Sequence, residues 1–256
     1  MTTARTHLAE SLRTLKLSGM LDTLDVRITQ AAAGDLGFTE FLQALCLDEI
    51  TRRENTKLVR LTKAARFTNP AATLETFDTA ADPGIPAARI RELATLEWLD
   101  QGEHLVISGP VGAGKTHLAT GYGHQAIRQG HTVRFTTTSR LLADLAGGHA
   151  DRTWTKRLTD YTRPDLLIID DWAMRELTGP QADDLYELVT ERTTGAGGSI
   201  ILTTNRNPDQ WYPLFPNPVV AESLLDRLLH NTSRLHIDTP SYRARRRTPP
   251  ARQPAQ

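Results

Sequence analysis

One cysteine in 256 residues leaves no partner for a disulfide within the chain and excludes a zinc site built from several thiolates. That residue, Cys46, stands in the apolar run "FLQALCLDEI" and reads as a core position. No apolar run approaches the roughly 18 residues that a membrane-spanning helix needs. The first residues, "MTTARTHLAESLRTLKLSGM", lack the apolar centre of a signal peptide. A soluble, cytoplasmic protein with no membrane partner is expected. Net charge is absent as well: thirty Lys and Arg balance thirty Asp and Glu. No global field therefore draws the chain to nucleic acid, and any such attraction must be local. No internal repeat is evident. The length suits one large domain, or a core domain with a smaller companion.

What is present begins with "LVISGPVGAGKTHLA", Leu105 to Ala119. Leu105 to Ile107 reads as a buried strand, and Lys115 to Gln129 has helical character. Between them Gly109, Pro110, Val111, Gly112, Ala113, Gly114, Lys115 and Thr116 fit G-x-x-x-x-G-K-[ST], with His117 following. Glycines at these positions let successive N–H groups converge on phosphate oxygens, and the helix N-terminus adds partial positive charge. Lys115 is expected to reach the β- and γ-phosphates of a nucleotide, and the Thr116 hydroxyl to bind Mg²⁺.

Strand and helix patterns then alternate, which indicates a parallel sheet flanked by helices. "DLLIIDDWAM" is a buried strand that delivers Asp170 beside the loop, where it can hold Mg²⁺ through water. The next acid, Asp171, is placed either as the base that orients an attacking water or as a turn residue or helix cap. "GSIILTTNRN" brings Asn205 near the γ-phosphate, to fix that water, unless it forms an Asx turn ahead of Pro208. Arg227, in "AESLLDRLLHNTSRLHI", is either a surface partner of Asp226 or Glu222 or an arginine finger donated to a neighbouring subunit's nucleotide.

Residues 1–68 have a helical pattern and form an expected small all-α domain. Leu8, Leu12, Leu15 and Leu17 make one stripe, Gly19 breaks it, and Leu21, Leu24 and Ile28 begin another. A third helix is expected after Thr39, running on through "TRRENTKLVRLTKAAR" with six basic residues against Glu54. Arg53, Lys57 and Arg60 share one face at i, i+4, i+7, beside Ile50, Leu58, Leu61 and Ala65. This face is either a solvated surface or a stripe that contacts DNA phosphates. Residues 69–100 read as a proline-bearing surface connector and a lead-in helix, Arg89 to Leu99. The nucleotide domain spans 101–240. A basic, proline-rich tail at 241–256, "SYRARRRTPPARQPAQ", is expected to be disordered.

"GPVGAGKTHLA", "DLLIIDDWAM", "IILTTNRNPDQW" and "LLDRLLHNTSRLHI…SYR" together resemble the IstB-like AAA+ ATPases, helper proteins encoded beside certain bacterial transposases. "LRTLKLSGMLDTL" and "LGFTEFLQALCLDE" are similar to that family's helical domain, so the likeness covers roughly residues 8–243. The resemblance implies an α/β fold: a P-loop AAA+ domain, its parallel sheet flanked by helices, behind a small all-α N-terminal domain. It also implies ATP and Mg²⁺ at the loop, hydrolysis to ADP, homo-oligomers with ATP at subunit interfaces, binding of double-stranded DNA, and recruitment of a cognate transposase. Two departures stand out. Asp171 occupies a position where many AAA+ proteins have Glu, and about nineteen residues follow Ile237, too few for a helical lid with its sensor arginine, for which Arg243 is a weak substitute. Helicase loaders of DNA replication are similar in the core and give the alternative function. A small-molecule kinase needs a substrate domain and lid that the pattern does not provide.

Overall fold

The computed structural model describes residues 2–194 and 197–241. The chain divides into two compact units, Met1–Arg60 and Leu61–Gln256.

The first unit holds α1 (Thr2–Thr14), α2 (Ser18–Ala32) and most of α3 (Phe38–Ala65). Leu12, Leu24 and Leu45 form its buried centre, with Leu17, Met20, Leu21, Ile28 and Phe41 packed around them. Leu8 and Leu15 stay exposed, so the first stripe is only half used. The break between α1 and α2 falls at Lys16, in the left-handed region at φ 57°, and Gly19 lies inside α2 instead. Gly19 is needed there because α3 crosses closely: an added Cβ would stand 2.6 Å from Glu49 Cα. Its N–H donates to Glu49 Oε2 at 2.6 Å. Cys46 is exposed, which corrects its reading as core. Leu45 takes the inward direction, and the next residue on a helix points about 100° away. Arg27 grips Asp48 through two hydrogen bonds of 2.8 and 2.7 Å.

In the second unit Leu61 and Ala65 are buried at its start. A lead-in follows as two helices, α4 (Ala87–Leu93) and α5 (Glu97–Asp100), where the sequence suggested one. Leu96 separates them in the left-handed region at φ 68°, its side chain wholly buried. Thereafter come β1 (His104–Ser108), α6 (Lys115–Arg128), β2 (Val133–Thr137), α7 (Thr138–Asp151), α8 (Trp154–Thr162), β3 (Leu166–Asp170), α9 (Gly179–Thr194), β4 (Ser199–Thr204), α10 (Pro218–His230) and β5 (Thr232–His236).

The five strands are parallel in the order β2-β3-β4-β1-β5. Strands buried on both faces need continuous apolar runs, and Leu166 to Ile169 and Ile200 to Leu202 supply them. Alternation splits each run between two cores. Val106, Leu167, Ile169, Ile200 and Leu202 pack with residues of α7, α9 and α10. Ile168 points the other way, where α6 lies close enough that a Cβ on Gly123 would meet Ile168 Cδ1 at 2.9 Å. Among the described residues no helix is long and apolar enough to cross a membrane.

Candidate nucleotide site

Both glycine-rich loop and carboxylates emerge at the C-terminal edge of the sheet, where strand order reverses around β1 and ligands of open α/β sheets bind. Gly112 and Gly114 adopt φ values of 83° and 94°, closed to most L-residues. Neither has room for a side chain. A Cβ on Gly114 would stand 2.6 Å from the Phe77 ring, and one on Gly112 would collide with Ser241. The loop therefore folds back over the start of α6, with Lys115 Nζ donating to the carbonyls of Gly109 at 2.9 Å and Pro110 at 2.8 Å. Thr116 Oγ1 donates to Asp170 Oδ1 at 2.9 Å.

Asp170 is buried at the end of β3. Burial pushes its carboxyl above the ordinary range, the hydroxyls of Thr203 and Thr116 pull it down, the Asp171 charge raises it and Lys115 lowers it, with a net rise. Asp171 is exposed, in the left-handed region at φ 57°. It caps no helix. Its N–H donates to Thr203 Oγ1 at 3.1 Å, and Trp172 N–H to the Thr203 carbonyl at 2.8 Å.

A cavity of about 480 Å³ joins Val111 to His117 of the loop with Asp171 and Asn205. Gly109 and Pro110 meet it through the Lys115 ammonium, and Asp170 through Thr116. Asn205 is exposed there, and the turn at Pro208 is held at Asn207, whose N–H donates to Gln210 Oε1 at 3.2 Å. Arg227 is not among the residues around this cavity. From α10 it donates to Thr190 Oγ1 at 2.8 Å and lies over the Tyr186 ring, both on α9, in place of an ion pair with Asp226 or Glu222. Arg53, Lys57 and Arg60 are exposed on α3, and Arg53 is paired with Glu49 at 2.6 Å. Arg243 and the rest of the basic tail after Ser241 lie outside the described residues.

Several residues of the site carry no motif. Thr73 and Thr76 hold His117 Nε2 at 2.9 and 3.0 Å, and Phe77 meets its ring edge-on. Thus residues 68–85 pack on the loop and also line the cavity, where the sequence suggested a surface connector. Thr203, Thr239 and Ser241 were likewise silent, since their roles depend on chain segments far apart. The one usable signal was apolar: Phe77 and Ile85 are large for a solvated linker.

A parallel sheet in this order, with a glycine loop after β1 and a buried carboxylate ending β3, defines a P-loop nucleotide-binding domain of the AAA+ type. The chain belongs to the IstB-like ATP binding protein family, which it matches over residues 10–249. An ATP-binding protein of an insertion sequence in Mycobacterium tuberculosis is 57% identical over 240 residues, covering 94% of this chain and 95% of that one. The insertion sequence IS5376 ATP-binding protein of Geobacillus stearothermophilus is 32% identical over 231 residues, 90% and 91% of the two chains. Among solved structures, the DnaC helicase loader superposes with a TM-score of 0.56 at 22% identity, covering 65% of this chain and 96% of that chain. AMPPCP-bound DnaA from Aquifex aeolicus gives 0.55 at 22% identity, covering 67% and 51%. These two likenesses establish the fold.

Proposed function

We propose that the chain is an ATP-hydrolysing, DNA-binding assembly factor that helps a transposase in DNA transposition. The observation that carries the catalytic part is the contact of Thr116 with the buried Asp170, beside the loop and one residue before Asp171. Thr116 and Asp170 form an oxygen pair suited to Mg²⁺, and a divalent cation would offset the burial that raises the Asp170 carboxyl. Bound Mg²⁺ supplies charge compensation for the phosphates. Lys115 would exchange the carbonyls it now touches for phosphate oxygens. Asp171 would orient and deprotonate the attacking water, with the Asn205 amide holding it in line.

The biological context comes from the insertion-sequence relatives. The reading assigns Arg227 to the nucleotide of a neighbouring copy, which makes hydrolysis a property of the assembly. It assigns Arg53, Lys57 and Arg60 to phosphates of duplex DNA. DNA binding measured with ATP and Mg²⁺, with ADP and without nucleotide tests the whole. Strong binding only with ATP and Mg²⁺ is expected, accompanied by capture of a cognate transposase. Equal binding in all three conditions overturns the nucleotide switch.

A further inference from the structure

Thr203 lies on β4 one step beyond the paired residues Ile169 and Leu202, and therefore beside Asp170. Its side chain is buried. Leu202 turns into the core shared with α7 and α9, so by alternation Thr203 faces the α6 side, where Asp170 meets Thr116. A valine would have the same shape there, and a buried hydroxyl costs stability unless it is hydrogen-bonded. This one is bonded twice. It donates its only proton to Asp170 Oδ1 and accepts the N–H of Asp171 at 3.1 Å. The Thr203 carbonyl takes the next N–H, of Trp172, at 2.8 Å.

Three consecutive residues, Asp170 to Trp172, are thus held by one residue of the neighbouring strand. The middle one needs holding. Asp171 sits in the left-handed region, which is unfavourable for a residue with a Cβ, and β3 has ended, so no strand ladder accepts its N–H. The relay from amide to hydroxyl to carboxylate couples the backbone of Asp171 to the orientation of Asp170, and each bond polarises the other.

We propose that Thr203 is a positioning residue for ATP hydrolysis: through one hydroxyl it sets the Asp171 backbone and fixes which Asp170 oxygen stays available beside Thr116. This rests on the proposed hydrolytic role of Asp171, and the test separates the two. Thr203→Val removes the hydroxyl and keeps the volume; Thr203→Ser keeps the hydroxyl. The valine variant is expected to lose about 10- to 100-fold in kcat while its KM stays within about threefold of wild type, and the serine variant to recover to within about threefold. A second readout needs no nucleotide. Amide hydrogen exchange at Asp171 should quicken about tenfold in Thr203→Val and stay near wild type in Thr203→Ser. Unchanged exchange at Asp171 in a folded valine variant overturns the proposal, as does failure of serine to restore turnover. If wild type itself shows no turnover, the hydrolytic reading falls, and the exchange comparison alone decides whether Thr203 sets the Asp171 backbone.

Discussion

Lys115 binds two carbonyls of its own loop, at 2.9 and 2.8 Å, and these contacts mark where phosphate oxygens would compete. Lys115→Ala should therefore weaken ATP binding about 10- to 150-fold, the range of a lost charge-assisted hydrogen bond. The fold should survive, because Gly112 and Gly114 are set by backbone conformation and by the packing of Phe77 and Ser241. Titration with a fluorescent ATP analogue and a melting curve check both halves; unchanged affinity would assign the phosphates elsewhere. Asp171→Asn should keep nucleotide, since Asp170 and Thr116 remain, and lose about 100- to 10,000-fold in turnover, the usual yield of a general base. Its DNA complexes should outlive those of wild type in a dissociation assay, and wild-type turnover would exclude Asp171 as the base. Asp170 and the loop were legible in the sequence because each is fixed by local pattern: a five-residue buried strand ending in acid, and glycines at set spacing. Thr203 was not, because its two partners, Asp170 and Asp171, lie at and just past the end of another strand.

Elements differ in how far their sequence determines them. Parallel strands are apolar on both faces and announce themselves, so β1, β3 and β4 were plain in the sequence. The helices of the first unit are harder, since three amphipathic elements leave Leu8, Leu15, Leu42, Leu47 and Ile50 exposed, and a stripe of leucines does not say which of them is covered. The break between α4 and α5 was invisible because Leu96 is a residue that rarely takes a left-handed conformation. Polar bonds compensate for the small core of that first unit. The hydrogen bonds from Arg27 and then Thr23 hold the Asp48 carboxyl down at about 2, against burial that would raise it. The unfolded chain binds that proton near pH 4, so the folded-state advantage is present above pH 4 and is lost as pH falls towards 2. Accordingly the stability difference between wild type and Asp48→Asn, measured by urea unfolding with amide exchange in α2 and α3, should shrink steadily from pH 5 to pH 2.5. A difference that stays constant would remove the ion pair from the account.

At the scale of the whole molecule, the question is whether copies cooperate. Arg227 is held by Thr190 and Tyr186 and does not line the cavity of its own chain, so the role proposed for it on phosphate is one in trans. Arg227→Ala should bind ATP and hydrolyse it about 1,000-fold more slowly or worse. Mixed with Lys115→Ala, it should regain part of the activity, because an intact arginine then faces an intact loop at some interfaces; no recovery at any ratio would leave Arg227 as a brace between α9 and α10. The proposed DNA binding would be the other collective property. With thirty charges of each sign, a single copy has little to attract the duplex, and three exposed cations gain weight only when repeated along it. The decisive measurement is the slope of log K for duplex DNA against log salt, taken with and without ATP. Each neutralised phosphate contributes about −0.9, so a subunit using Arg53, Lys57 and Arg60 contributes about −2.7. A steep slope with ATP that multiplies across the assembly is expected, with a shallow one without it and a flattened ATP-state slope when all three are replaced by Ala. A slope that is the same with and without ATP would contradict it.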